Sequence, residues 1–162
     1  MDSAYKQILS DQNSEEIRKT AQRMRRMRKG KLDQLIHKLH DEAFEQIDCL
    51  LCANCCTTTG PFLTQIDIER IAKHLRIKPG AFIEKYLHLD EDNDFVFKSM
   101  PCPFLGDDKY CNIYDVKPKA CRDYPHTDRK NQQGILKLTQ KNAAICPAVA
   151  KIFEGLIEVD NR

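Results

Sequence analysis

A chain of 162 residues with 26 Lys and Arg against 24 Asp and Glu carries a net charge of +2. This near-neutral balance gives no global field for drawing in nucleic acid, and the length suits one domain. The 41% hydrophobic content can fill a core, but no apolar run is long enough to span a bilayer. Residues 1–16 lack the apolar stretch of a secretory leader, so the expected location is the cytoplasm.

In chain order, Asn13 followed by Glu16 has the form of a capping box and opens a first polar helix, which Gly30 interrupts. Arg18, Lys19, Arg23, Arg25, Arg26, Arg28, Lys29 and Lys31 crowd this stretch. With no aromatic residues between them they read as a solvated helix face, not a nucleic-acid surface. Leu32, Leu35, Ile36, Leu39, Ala43, Phe44 and Ile47 then recur at three and four, the spacing of one apolar helical stripe. Thr64 and Asp67 form a second capping-box start, and Ile68, Ile71, Ala72 and Leu75 share one face of the helix they open. Pro79 suits a first helical turn, followed by Phe82, Ile83, Tyr86 and Leu87 at helical spacing. Residues 89–94, LDEDND, make a solvated turn. FVFKS at 95–99 and GILKLTQK at 134–141 read as two short strands. A last helix starts near Pro147, with Val149, Ile152, Phe153 and Leu156 facing inward. The expected fold is therefore mainly α with a small β-hairpin, an α+β domain organised around a cysteine-ligated metal centre. It divides into N-terminal helices over 1–48, a cysteine-cluster domain over 49–157 and a tail over 158–162.

The cysteines carry the chemistry. Cys49, Cys52, Cys55 and Cys56 lie within eight residues, and Cys102, Cys111, Cys121 and Cys146 follow. Thiols at x2 spacing can turn onto one soft metal ion, and eight thiols suffice for two four-thiolate sites or one larger cluster. A disulfide scaffold fits less well. A reducing compartment disfavours it, a chain of this size needs no staples, and adjacent Cys55 and Cys56 make an awkward pair. The loop-rich stretch 102–125 has little core of its own, so metal ligation can organise it. Cys146-Pro147 arrives at a helix start, where amide N–H groups can meet a thiolate or cluster sulfur.

The CxxCxxCC knot, the T-x2-D-I helix start, CPFL, CxIY, P-x2-CR and the final YP together resemble the YkgJ-type cysteine-cluster family. The resemblance runs from Cys49 to about Phe153. It implies a small cytoplasmic bacterial protein that chelates zinc or iron through these eight cysteines. A related cysteine cluster occurs in flagellin lysine N-methylases, where it looks like an iron–sulfur site, but this chain is too short for such an enzyme. His126 stands where an apolar aromatic often follows the YP of the family pattern, which leaves its role as a ligand open.

Zinc and iron–sulfur remain the two candidates for the metal. Cys49-x2-Cys52-x2-Cys55 reproduces the opening spacings of a bacterial ferredoxin run, which also uses a remote Cys-Pro. Here Cys102-Pro103 and Cys146-Pro147 both qualify. Zinc ribbons show two separated C-x2-C pairs, and the second pair is missing. These spacings favour iron–sulfur, with Cys49, Cys52, Cys55 and Cys146 at one centre and Cys56, Cys102, Cys111 and Cys121 at the other. The diverging side chains of Cys55 and Cys56 are the reason for separating them. Arg122, next to Cys121, is either the partner of Asp123 or the cation that balances an anionic cluster and binds the cofactor.

No P-loop, dinucleotide fingerprint, HExxH or serine elbow is present. His37, His40, His74 and His88 fall on helices and are expected as structural or surface residues. The expected function is metal binding for electron transfer or fold stabilisation. The alternative is an iron–sulfur-dependent enzyme acting with a partner protein.

Overall fold

The computed structural model describes residues 1–161. Its helices are α1 (Ser3–Ser10), α2 (Ser14–Met24), α3 (Lys29–Phe44), α4 (Cys49–Cys52), α5 (Asn54–Thr58), α6 (Gln65–His74), α7 (Pro79–Tyr86), α8 (Lys119–Asp123), α9 (Gln132–Ala143) and α10 (Pro147–Asp160). The strands are β1 (Phe62–Leu63), β2 (Leu87–Leu89) and β3 (Phe95–Phe97). The fold is thus mainly α with one small antiparallel sheet, of α+β class. No described helix is long and apolar enough to cross a membrane. The chain forms two compact units, Met1–Cys52 with Pro125 onward, and Ala53–Tyr124.

The first unit is helical. Its core joins Ile17, Ala21 and Met24 of α2, Leu32 and Ile36 of α3, Leu136 of α9, and Val149, Ile152, Phe153 and Leu156 of α10, all buried. Asn13 caps α2 by accepting from Glu15 N and Glu16 N, both at 3.1 Å. Two expectations are corrected here. Gly30 does not interrupt a helix but lies inside α3, and the break falls over Arg25–Arg28. Residues 134–141 are not a strand but lie within α9. The apolar-polar order Leu136, Lys137, Leu138, Thr139 suggested period two. The buried positions are Gln132, Leu136, Thr139, Asn142 and Ala143, which follow the helical period. Helix α1, bearing the buried Tyr5, went unforeseen because its eight residues are too few to establish a helical period.

The start of α9 is capped from another helix. Asn131 adopts a left-handed φ of 62° and its side chain does not cap. Asp33 of α3 instead accepts from Asn131 N at 2.9 Å and from Gln132 N at 2.8 Å. Burial works against the Asp33 charge, but these amide bonds outweigh it and hold the carboxyl below its usual range. Asp33→Ala should therefore cost about 1–2 kcal/mol of stability, the upper range for loss of a helix cap. Urea unfolding measures this. The difference from wild type should shrink as the pH falls through the lowered pKa of Asp33, because the protonated carboxyl accepts less well.

The second unit pairs two helices with the sheet. Thr64 and Asp67 form a reciprocal capping box at α6, as the sequence predicts. Pro79 occupies the first turn of α7. The sheet order is β1-β3-β2, both pairings antiparallel, with Leu87 opposite Phe97 and Leu63 opposite Phe95. Leu87 therefore ends the α7 helix and starts a strand instead of extending the helical face. Asp90 closes the β2–β3 turn by accepting from Asp92 N and Asp94 N, each at 2.9 Å. The core gathers Ile68, Ile71, Ala72, Phe82, Leu87 and Phe97, and it takes in Phe104 and Ile113 from the cysteine-bearing loops. Phe104 packs against Phe82, Tyr86 and Phe97 with ring centroids 6.2, 4.9 and 5.7 Å away. These two apolar anchors fix Cys102 and Cys111, which lie two residues before each, against the helices.

Candidate metal centre

All eight cysteines are thiols, not half-cystines. The knot forms two short helices, α4 and α5. Ala53 separates them in the left-handed region at φ 49°, a conformation costing an L-residue about 1–2 kcal/mol. Cys49 and Cys52 belong to the first unit; Cys55 and Cys56 belong to the second.

In the second unit the thiols come from separate parts of the chain. Cys56 lies on α5, Cys102 and Cys111 on the loops around Phe104, and Cys121 on α8. Cys102 N donates to Cys56 O at 2.8 Å, and Asn112 N donates to Phe104 O at 2.8 Å. These main-chain bonds hold the loops beside α5. Cys102, Cys111 and Cys121 all lie close enough to Cys56 to feel its charge, and Cys121 also feels Cys102 and Cys111. The first unit repeats the pattern with three thiols, Cys146 feeling the charge of Cys49 and Cys52.

The two Cys-Pro cysteines thus have different neighbours. Cys146-Pro147 stands with the Cys49-x2-Cys52 pair, while Cys102-Pro103 stands with Cys56, Cys111 and Cys121. Cys55 Sγ lies 4.0 Å from Cys56 Sγ, so these adjacent side chains do not diverge as their sequence position suggests. Their separation is close to the edge of a zinc tetrahedron, about 3.8 Å for Zn–S bonds near 2.3 Å.

The sulfurs are already turned toward backbone donors. Cys102 accepts from Phe104 N and Leu105 N, Cys111 from Ile113 N, and Cys146 from Ala148 N and Val149 N. Such bonds favour the thiolate and are the outer support of a metal–thiolate site. Burial works the other way and dominates at four of the thiols. It pushes Cys102 up to about 11, Cys121 to about 12 and Cys146 to about 11, and it raises Cys111. Cys56 is the exception. The bond from the Cys55 thiol holds it at about 7, with help from Lys117 and against burial.

Among the described residues no group of three or more His, Cys, Asp or Glu side chains stands together closely enough to hold an ion as it is. The donor set nevertheless fits a soft metal. It offers thiols from four chain segments, backed by N–H donors, with one thiol near its charged form at neutral pH. A cation would stabilise all four thiolates at once, reversing the effect of burial.

Two polar residues that the sequence reading did not single out for the site shape its approach. Asp67 is buried and accepts from Thr64 N at 3.0 Å, Thr64 Oγ1 at 2.7 Å, Arg70 Nη2 at 2.5 Å and Lys119 N at 3.0 Å. Arg70 in turn donates to Val116 O at 3.3 Å and Lys117 O at 2.9 Å. Together they pin residues 116–119, which lead into α8 and Cys121. The T-x2-D pattern disclosed the cap, but nothing local signalled a bond to Lys119, 52 positions away.

Arg122 is exposed on α8, and Asp123 pairs with Lys119. His74 and His88 are exposed. His37 Nε2 contacts Arg129 O at 3.0 Å and His40 Nδ1 contacts Thr127 Oγ1 at 2.7 Å, both within the first unit. His126 adopts a left-handed φ of 69°. Neither of two surface depressions, over His88–Asp92 and between residues 11–17 and 150–157, is lined by a cysteine.

The model of the CxxCxxCC family, described as "Putative zinc- or iron-chelating domain", matches residues 48–147. That interval contains all eight cysteines. No curated protein and no solved structure matches the chain.

Proposed function

Because the chain belongs to the CxxCxxCC family of zinc- or iron-chelating domains, we propose that it is a metal-binding protein whose eight cysteines are its ligands. Cys56, Cys102, Cys111 and Cys121, with Cys55 beside Cys56, serve one centre, and Cys49, Cys52 and Cys146 serve another. The gathering of Cys56, Cys102, Cys111 and Cys121 in the second unit, with the Cys102 N–H donating to Cys56 O and with Phe104 and Ile113 anchoring the loops, carries this reading. The metal's first role is to hold the loops over 98–118, which have only short turns of their own. Binding energy there is folding energy.

A specific observation favours iron–sulfur chemistry at the other centre. The C-x2-C pair Cys49 and Cys52 is joined by a remote Cys followed by Pro, as in ferredoxin runs. Such a cluster would supply electron transfer, and the N–H donors on Cys146 would tune it. Anaerobic purification followed by iron, zinc and acid-labile sulfide analysis tests both proposals. Bound zinc or iron is expected, with sulfide present if the first-unit centre is a cluster. Loading the apo-protein should release protons, since burial keeps Cys102, Cys111, Cys121 and Cys146 protonated at neutral pH. Calorimetry in buffers of different ionisation enthalpy reads that release. Protein that takes up neither metal would overturn the reading.

A further inference from the structure

The basic run of the first unit does not stand alone in the fold. Arg25, Arg26, Arg28, Lys29 and Lys31 occupy the turn between α2 and α3 and the first turn of α3, and all five are exposed. Arg129 and Lys130, far along the chain, are exposed on the turn before α9. Helix α9 packs on both α2 and α3.

Hydrogen bonds join the two segments. Gln133 Nε2 donates to Arg25 O at 2.5 Å and to Met27 O at 3.1 Å, so the start of α9 holds the α2–α3 turn. Gln132 Nε2 donates to Arg129 O at 2.8 Å. The main chain is thus fixed on both sides while the charged side chains stand in solvent. Acids near them are few. Asp33 of α3 is committed to the amides of Asn131 and Gln132, and Asp128 is the one acid within 25–31 and 128–133. Among the described residues none of these lysines and arginines forms an ion pair. Like charges gathered this way repel one another, and an anionic partner relieves that repulsion.

The chemistry of the patch selects its partner. A protein interface has an apolar centre, and none of the large exposed apolar side chains falls in either segment. Insertion into a bilayer surface needs an outward apolar helix face, whereas Ile17, Ala21 and Met24 of α2 and Leu32 and Ile36 of α3 are buried. Single-stranded nucleic acid is held by aromatic stacking, and neither segment has a Phe, Tyr or Trp. What fits is a dense row of phosphates, bound by arginine forks and lysine charges as counterions are released. We propose that this corner of the first unit binds the phosphodiester backbone of double-stranded nucleic acid, without regard to sequence. The run at 25–31 alone reads as a solvated helix face. The helix break at Arg25–Arg28 and the arrival of Arg129 and Lys130 make it a patch.

The test is fluorescence anisotropy of a short labelled DNA duplex titrated with the full, anaerobically purified chain over a series of salt concentrations. Wild-type affinity should fall steeply as salt rises, a duplex of scrambled sequence should bind equally, and the unpaired strand should bind more weakly. The triple variant Arg25→Gln/Arg26→Gln/Arg28→Gln should bind on the order of a hundredfold more weakly at low salt. Its slope of log affinity against log salt should flatten by roughly 2 to 3, at about 0.9 for each lost phosphate contact. Arg129→Gln/Lys130→Gln should also weaken binding and flatten the slope. Lys78→Gln/Lys109→Gln/Lys137→Gln removes as much charge from exposed positions elsewhere and should match wild type. Thermal unfolding should be alike in all of them, since only exposed side chains change. Wild type that leaves the duplex unbound at low salt would overturn the proposal. So would equal loss in the control triple variant, tighter binding to the unpaired strand, or binding to phosphatidylglycerol vesicles with none to the duplex. Wild-type affinity in Arg129→Gln/Lys130→Gln would reject the two-segment patch.

Discussion

Cys121→Ser is expected to strip the second unit of its metal and leave residues 98–124 open to protease. In the proposed second-unit centre, Cys121 of α8 acts with thiols on α5 and on the loops before and after Phe104. Serine cannot replace a soft thiolate. The loss should exceed the roughly 10–100-fold typical of removing an outer-shell partner. Because the loops have few regular hydrogen bonds, lost ligation appears as lost order. Cys146→Ser should act on the first-unit centre instead. Metal content measured in each single variant and in the double variant decides the partition. Two independent centres predict partial loss in each single variant and full loss in the double. If either substitution alone empties the protein, the cysteines share one centre. If Cys121→Ser keeps full metal content, Cys121 is not a ligand.

What could be read in advance followed the range of the interactions. The helices α3, α6, α7 and α10 announced themselves through apolar spacing and caps at Thr64, Pro79 and Pro147, which are local features. The eight cysteines stood out by type and spacing. The strand partners of β3 did not, because Phe62–Leu63 and Leu87–Leu89 are too short to show alternation and pair only through the fold. Residues 134–141 misled for the opposite reason: their alternation was real, but burial of Gln132, Leu136 and Thr139 decided for a helix. At the site, Cys55 and Cys56 approach each other within the short helix α5, which opens at the left-handed Ala53, a backbone conformation with no marker in an alanine. The cap on α9 comes from Asp33 and the clamp on α8 from Asp67, each far away in sequence. Polar contacts of that kind lack periodicity, so only the folded chain discloses them.

The second large effect is expected at Asp67, although it is no ligand. Its carboxylate accepts four hydrogen bonds, and its side chain is 2% exposed. Burial disfavours the charge, but Thr64, Arg70 and Lys119 outweigh it and hold the carboxyl below the ordinary range. Asp67→Ala leaves the half-buried Arg70 without its carboxylate and the amides of Thr64 and Lys119 without their acceptor. Removing one partner of such a pair costs about 3–5 kcal/mol, a large share of the stability of a small domain. Asp67→Asn keeps the shape and loses the charge, so its cost should be smaller. Because the folded pKa is depressed, this stability is fully present above the unfolded value of 3.8. It is lost as the pH falls through the lower folded value. Urea unfolding at pH 7 and below pH 4 should therefore show the wild-type advantage over Asp67→Ala narrowing in acid. The same variant should bind zinc more weakly, because residues 116–119 no longer hold α8 and Cys121 in place. Zinc affinity unchanged alongside a large loss of stability would show that the metal positions Cys121 by itself. Both falling together would show that the carboxylate of α6 prepares the centre before any metal arrives.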